Sequence, residues 1–346
     1  MNLFSRSSRN IGIDLGTANT LVYVAGRGVV LSEPSVIAVD QRTGTPVAFG
    51  NAAKQMIERT PSYIQALRPL RDGVIADFET AELMLKHIMQ RVHNGKRLSV
   101  PLLIIDVPSG VTALERRAVI ETCLRAGARK VRLIDEPVAA ALGAEVPLCE
   151  PAGNMIIDIG GGTTEVAVVS AGGIVFSESV RTAGDALSEA IALYLKKVHN
   201  LAVGWHIAEE IKLQLGSAYP ARGENQKLEV SGSDMASGRP RTLTVDAVEI
   251  YECLEEPIRP IVEALNRTLE RTPPQLASDI VNRGIMLTGG GALLRGLDDL
   301  LTKEAGIAVY VAENPLECAV LGIGKVLENF KQLEPVLTSN LEYSTS

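Results

Sequence analysis

Asp158 ends a short apolar run, Met155-Ile156-Ile157, and is followed by Gly160, Gly161, Gly162, Thr163 and Thr164. Three residues without a Cβ let backbone N–H groups close around an anion, and two hydroxyls add donors, so the stretch has the chemistry of a phosphate-binding loop. A carboxylate at that position faces a phosphate only through a divalent cation, because Mg2+ binds by way of one or two carboxylates, phosphate oxygens and waters. One such loop also fits a tight β-turn. This chain has two. Residues 10–24 (NIGIDLGTANTLVYV) and 154–168 (NMIIDIGGGTTEVAV) share an Asn, three residues, an Asp, an aliphatic residue, a Gly and a Thr-containing turn into a second apolar run, residues 21–24 and 166–169. Each copy reads as a β-hairpin whose tip carries an Asp and phosphate-sized donors. Two tips facing each other would clamp the phosphates of a nucleotide with its metal between them.

The elements that must position these tips repeat as well. Residues 102–107 read as a buried strand, Pro108-Ser109-Gly110 as a turn, and residues 112–125 as a helix with Leu114, Ala118, Ile120 and Leu124 near one face. Ala126-Gly127, a strand at 131–134 and Glu136-Pro137 follow, with Ala141 four residues past the proline. The second half offers a strand at 284–287, Thr288-Gly289-Gly290-Gly291, a helix from 292 to about 304, Ala305-Gly306, a strand at 309–311, and Asn314-Pro315 with Ala319 four residues on. This self-similarity predicts two lobes related by a pseudo-twofold axis, with a nucleotide cleft between them.

Composition agrees and excludes other classes. The 346 residues suggest two domains, and with aromatics at only 4% the cores must be built from Val, Ile, Leu and Ala, which favours a layered α/β architecture. A net charge of −7 without a long basic run argues against nucleic acid as a partner. Cys123, Cys149, Cys253 and Cys318 lack any C-x-x-C spacing and read as reduced thiols; His87, His93, His199 and His206 lack ligand spacing and read as helix-surface residues. No apolar run reaches the ~20 residues of a membrane span, and no signal peptide is expected before Asn10. The opening MNLFSRSSR sets Leu3 and Phe4 beside Arg6 and Arg9, which fits either a loose terminal tail or a short segment lying on an anionic bilayer.

Other segments read as follows. Residues 29–39 and 47–50 are predicted strands and 51–58 a helix; 79–93 is an amphipathic helix with a core stripe of Leu85, Ile88, Met89 and Val92. Residues 185–199 form another, with Leu187, Ile191, Tyr194 and Val198 on one side and Asp185 as N-cap. A charged helix at 207–215 follows Trp205 and His206, a hairpin joins 228–231 to 242–245, and a helix over 247–271 is expected to kink or divide at Pro257 and Pro260. The last residues, 333–346, are expected to fray.

Five stretches, IDLGTANT (13–20), RPLRDGVIADF (68–78), LIDEPVAAALGA (133–144), DIGGGTTEVAV (158–168) and LTGGGALLRGL (287–297), together resemble the actin and sugar-kinase ATPase superfamily, and within it the bacterial actins of the MreB family. The glycine loop at 158–165 is also found in heat-shock chaperones. RPLRDGVIADF and LASDIVNRGIMLTGGGALLRGLD (276–298) are far more particular to MreB. The resemblance covers residues 11 to about 327. It implies an α/β actin-like ATPase fold, in which each lobe has a βββαβα-type core and a small inserted subdomain. The implied boundaries are 1–32 and 67–145 for the first core with 33–66 inserted, 146–182 and 247–313 for the second with 183–246 inserted, a return helix at 314–332, and a flexible tail at 333–346.

The resemblance further implies slow, Mg2+-dependent hydrolysis of ATP. Asp14 and Asp158 would hold the metal directly or through its waters. Thr17, Ala18 and Asn19 would cradle the β- and γ-phosphates from one side, with Gly160, Gly161, Gly162 and Thr163 opposite. Glu136 reads on its own as a carboxylate before a helix-starting proline; its family position makes it the residue that orients or deprotonates the attacking water, which Thr163 helps to hold. Gly289, Gly290, Gly291 and Ala292 would leave room for adenine. Glu209, Glu210 and Lys212 suit a solvated helix face, whereas the resemblance sets that helix over the nucleoside. Asn19 stands where eukaryotic actin has a lysine beside the phosphates. Also implied are antiparallel double filaments of the chain itself, a role in cell-wall synthesis and rod shape, membrane proteins of the elongation machinery as partners, and a cytoplasmic location on the inner face of the cell membrane. The N-terminal segment with Leu3 and Phe4, or a loop at 96–100 with Leu98 and Val100, would make that attachment. The rival readings are an actin-fold small-molecule kinase, a chaperone ATPase, for which no peptide-binding domain remains, and a nucleotide-binding scaffold without turnover.

Overall fold

In a computed structural model, which describes residues 10–92, 100, 102–220, 226–338 and 343–344, the first hairpin is made by β1 (Ile11–Leu15) and β2 (Asn19–Val24), and β3 (Gly28–Pro34) pairs with β2. The strand predicted over 29–39 breaks after Pro34, and β4 (Ile37–Asp40) leaves for a separate small sheet with β5 (Thr45–Phe49) and β6 (Ile64–Leu67), covered by α1 (Gly50–Lys54). After β7 (Leu70–Arg71) and β8 (Val74–Ile75) comes α2 (Phe78–Val92), which buries Leu85, Ile88, Met89 and Val92 as its periodicity requires. β9 (Leu103–Val107), α3 (Ala113–Ala126) and β10 (Lys130–Asp135) complete the first core, and α4 (Glu136–Gly143) follows.

The second half repeats this plan. β11 (Asn154–Ile159), β12 (Thr164–Ser170) and β13 (Gly173–Val180) lead to α5 (Gly184–Val198), β14 (Leu201–Ala202), α6 (Trp205–Leu215), β15 (Lys227–Asp234) and β16 (Pro240–Asp246). Then come α7 (Ala247–Arg271), α8 (Pro274–Arg283), β17 (Ile285–Thr288), α9 (Leu297–Ala305), β18 (Val309–Val311), α10 (Cys318–Glu328), α11 (Phe330–Leu333) and β19 (Tyr343–Ser344). The two large sheets have matching orders, β19-β10-β9-β1-β2-β3 and β13-β12-β11-β17-β18. In each, a three-strand antiparallel meander continues into two parallel strands joined by a helix. Helices α4 and α10 lie between the sheets in one apolar core with Ile104 and Ile134 from the first and Ile156, Ala167 and Val169 from the second. Their crossing depends on glycine: a Cβ on Gly322 would overlap the Ala139 carbonyl, and one on Gly143 the Cys318 carbonyl.

Several local expectations are corrected. Leu114 is 76% exposed on α3, which instead buries Ile120, Thr122, Cys123 and Ala126; a Thr112–Glu115 capping box starts it. Val198 is exposed on α5, whose buried face is Leu187, Ser188, Ile191 and Leu195. The N-cap of α5 is Ala183, and Asp185 makes no cap bond. α7 runs as one helix through Pro257 and Pro260. The carbonyls those prolines leave without a donor, at Cys253 and Glu256, lie on a half-exposed to exposed side of the helix, while Leu254, Ile258, Ile261 and Leu265 hold the opposite face in the core. The helix predicted over 292–304 starts only at Leu297, because a 3-10 turn at Gly290–Leu293 and a left-handed Gly296 precede it. The tail is docked as far as Thr338: Val336 is buried, and the Thr338 N–H donates to the Leu133 carbonyl. His87 stacks on Phe49 rather than standing free. Val100, proposed to enter a bilayer, is fully buried in the first core and cannot do so; Leu3, Phe4 and Leu98 lie outside the described residues.

Candidate functional site

The two hairpin tips meet. Each turn is closed by its own glycine, Gly16 N–H donating to the Asn19 carbonyl (3.1 Å) and Gly160 N–H to that of Thr163 (2.9 Å). A Cβ on Gly161 would stand 2.5 Å from the Ala18 Cβ, and one on Gly162 2.7 Å from the Thr17 Oγ1, so bare backbone on one tip is what lets the other approach. The second tip is tied to α5, because the N–H groups of Gly184 and Asp185 donate to the carbonyls of Gly160 and Gly161.

A cavity of about 300 Å³ opens where the tips meet, within the usual size of a small-molecule site. Its walls include Asp14, Gly16, Ala18 and Asn19 from the first lobe, Asp158, Gly160 and Gly161 from the second, and Glu136 between them. Gly289, Gly290, Gly291, Glu209 and Lys212 also line it. Gly289 has φ 80°, and a Cβ there would overlap the Ile159 backbone, so this turn is pressed against the end of β11. Behind the cavity lies a chamber of about 50 Å³, which shares Asp14, Gly16, Glu136, Gly160 and Gly161 and adds Thr17, Asp106, Gly162 and Thr163. Two residues of the expected set fall elsewhere. Ala292 is buried beneath the turn, and Glu210 is exposed with Gln214 as its partner, about 100° round α6 from the lining residue Glu209.

The chamber concentrates acid. Asp106 and Asp158 are buried, and burial with neighbouring carboxylates raises the Asp14 and Glu136 carboxyls well above their ordinary range. Burial also pushes Asp106 up to about 7 and raises Asp158, although Thr288 Oγ1 donates to Asp158 Oδ1 (2.6 Å) and opposes that rise. The charges that perturb Asp14 and Glu136 are those of other carboxylates, with no base among them. Asp106 Oδ1 accepts the Leu15 N–H (3.3 Å), while its Oδ2 has no partner among the described residues. Glu165, fully buried, reaches from β12 to the first lobe and accepts from the N–H and Oγ of Ser109. On the cavity's opposite wall the charges are matched. Burial pushes Glu209 up, but Lys212 at 2.7 Å outweighs it and the carboxyl lies below its ordinary range; Ser188 Oγ also donates to it, and Lys212 Nζ donates to the Gly184 carbonyl (2.8 Å).

Such a cluster fits a divalent cation brought in with phosphates. Buried carboxylates without counter-charge are costly, and among the described residues no group of three or more His, Cys, Asp or Glu could hold a metal unaided. That agrees with Mg2+, which takes few protein ligands and completes its shell with phosphate oxygens and water. Sequence reasoning passed over Asp106, Lys54, Arg68, Asp185 and Trp205, of which all but Asp106 line the main cavity. An Asp ending an apolar strand was the available signal for Asp106. Arg68 and Asp185 are partners 117 residues apart and gave none.

The sequence model of the family described as MreB/Mbl protein matches residues 8–335. The cell shape-determining protein MreB of Escherichia coli (strain K12) is 52% identical over 326 residues, which cover 93% of this chain and 94% of that protein. The crystal structure of MreB5 of Spiroplasma citri bound to ADP superposes with a TM-score of 0.89 at 37% identity, covering 95% of this chain and 99% of that one. The MamK double helical filament shares the fold, with a TM-score of 0.78 at 21% identity over 93% of this chain and 99% of that one.

Proposed function

The chain belongs to the MreB/Mbl family, and from that premise we propose that it is a cell shape-determining, filament-forming actin that binds ATP with Mg2+ in the cleft and hydrolyses it slowly. The observation that carries this reading is the convergence of two glycine-closed tips and the carboxylates Asp14, Glu136 and Asp158, contributed by both lobes, on one cavity of about 300 Å³. In this reading Asp14 and Asp158 hold the cation, which supplies positive charge against the triphosphate. Thr17, Ala18 and Asn19 bind phosphate oxygens from one tip, and Gly160, Gly161, Gly162 and Thr163 from the other. Glu136 takes a proton from the water that attacks the γ-phosphorus, with Thr163 sharing its chamber. Gly289, Gly290 and Gly291 form the flat floor for the base, and Glu209 and Lys212 face the nucleoside. The comparisons lend the small-molecule kinase no support.

Assembly follows from the family and from a neighbour of the same fold that forms a double helical filament. Head-to-tail contacts that do not close on themselves generate such polymers. We propose that the N-terminal segment with Leu3 and Phe4, or Leu98 of the 96–100 loop, makes the membrane attachment; Val100 is committed to the core and does not contribute. Sedimentation and electron microscopy with ATP and Mg2+, with and without anionic liposomes, test the whole. Double filaments lying on lipid are expected. Monomers under every condition, together with faster turnover on a sugar than on water, would overturn the reading.

A further inference from the structure

Trp205, the only tryptophan of the chain, opens α6 in the second lobe, and two cations of the first lobe reach it. The Arg68 guanidinium lies 4.1 Å from the indole centroid and the Lys54 ammonium 5.5 Å from it. Arg68 is fixed in place by a second bond across the cleft, from its Nη1 to Asp185 Oδ2 at 2.7 Å, with both side chains about three-quarters buried. Beside them Glu58, on the loop after α1, presses its carboxylate on Gly204, where a Cβ would overlap it. All of these contacts join the small subdomain of the first lobe, with the strap that leaves it, to the helix starts of the second. Lys54, Arg68, Asp185 and Trp205 are also walls of the nucleotide cavity. An indole ring met by two cations, one of them held by a carboxylate, resists separation because parting the lobes exposes the ring and breaks the ion pair together.

We propose that Trp205 is the nucleotide-retention residue of this cleft: the Arg68–indole–Lys54 stack, anchored by Asp185, closes the cavity wall between the lobes and must part before nucleotide leaves. The proposal rests on the nucleotide reading of the cavity and adds to it the element that sets exchange. Release of a fluorescent ADP analogue, chased with excess ATP from the full chain held below its assembly concentration, tests it. Trp205→Ala is expected to speed release about tenfold, the scale of a partly desolvated cation–π contact. Trp205→Phe, which keeps a weaker aromatic face, falls between. Arg68→Ala made in the Trp205→Ala background adds less than it does alone, as partners in one contact require. Indole emission supplies a second readout, of the contact itself: without any nucleotide, Arg68→Ala changes the emission of Trp205. Unchanged release in both Trp205 variants, or fully independent effects of the Arg68 and Trp205 changes, overturns the proposal. Failure of the unaltered chain to bind the analogue overturns the nucleotide reading instead, and the stack then stands or falls on the emission change in Arg68→Ala.

Discussion

Asp106→Asn should make the nucleotide-free protein more stable at pH 8, although it alters a buried residue at the heart of the site. The exchange is nearly isosteric, and the amide oxygen can still accept the Leu15 N–H that Asp106 Oδ1 accepts at 3.3 Å. What it removes is an ionisation that burial opposes: the carboxyl is pushed from 3.8 to about 7, a rise worth about 4 kcal/mol at roughly 1.36 kcal/mol per pH unit. Relief is shared with Asp14 and Glu136, so a net gain of about 1–3 kcal/mol is the expectation. The sign follows from proton counting. Between pH 3.8 and about 7 the folded chain holds the Asp106 proton and the unfolded chain has lost it. Stability of the unaltered protein therefore falls as pH rises through that window and levels off above it. Melting curves of both proteins from pH 4 to pH 8, without nucleotide or Mg2+, should nearly coincide at pH 4 and diverge as pH rises towards 7. A variant that melts lower at pH 8, or a gap independent of pH, would refute the assignment of Asp106 as an uncompensated buried acid.

Three further outcomes follow from the same geometry. Glu136→Ala should slow phosphate release by roughly 100-fold or more while the affinity for a non-hydrolysable ATP analogue, measured by calorimetry, stays within about threefold; unchanged release would remove Glu136 from the reaction. Gly322→Ala places a methyl group into the Ala139 carbonyl at the α4–α10 crossing, and should lower stability by about 1–3 kcal/mol in urea titration, with Leu321→Ala on the half-buried neighbouring position far milder. Val100→Ala should lower the melting temperature, at a cost of about 1–3 kcal/mol for a truncated core side chain, yet leave co-sedimentation with anionic liposomes unaltered, because a fully buried residue has no face to offer a bilayer.

What the sequence made legible was what local backbone chemistry encodes. The hairpins, their Asp-Gly tips and the order of strands and helices after them could be read because alternation, glycine freedom and helix periodicity act within a few residues. Expectations fail where a distant partner decides: Asp185 faces Arg68 instead of capping its own helix, and Val100 bridges to Ala128 in the core. Even so, the internal repeat holds one more piece of the site. β9 pairs with β1 as β17 pairs with β11, so Asp106, one residue past the Ile13–Ile105 register, occupies in the first lobe the place that Thr288, paired with Asp158, occupies in the second. In the second lobe that place donates a hydroxyl to the carboxylate at 2.6 Å, favouring its ionised form. In the first it adds another acid, and Asp14 is driven well above its ordinary range by burial and then by Asp106. Two tips nearly alike in sequence are therefore electrically unlike. Both carboxyls are raised by burial, but Thr288 offsets part of the rise at Asp158 whereas Asp106 adds to it at Asp14, so the first tip is the one whose grip depends more on the incoming cation.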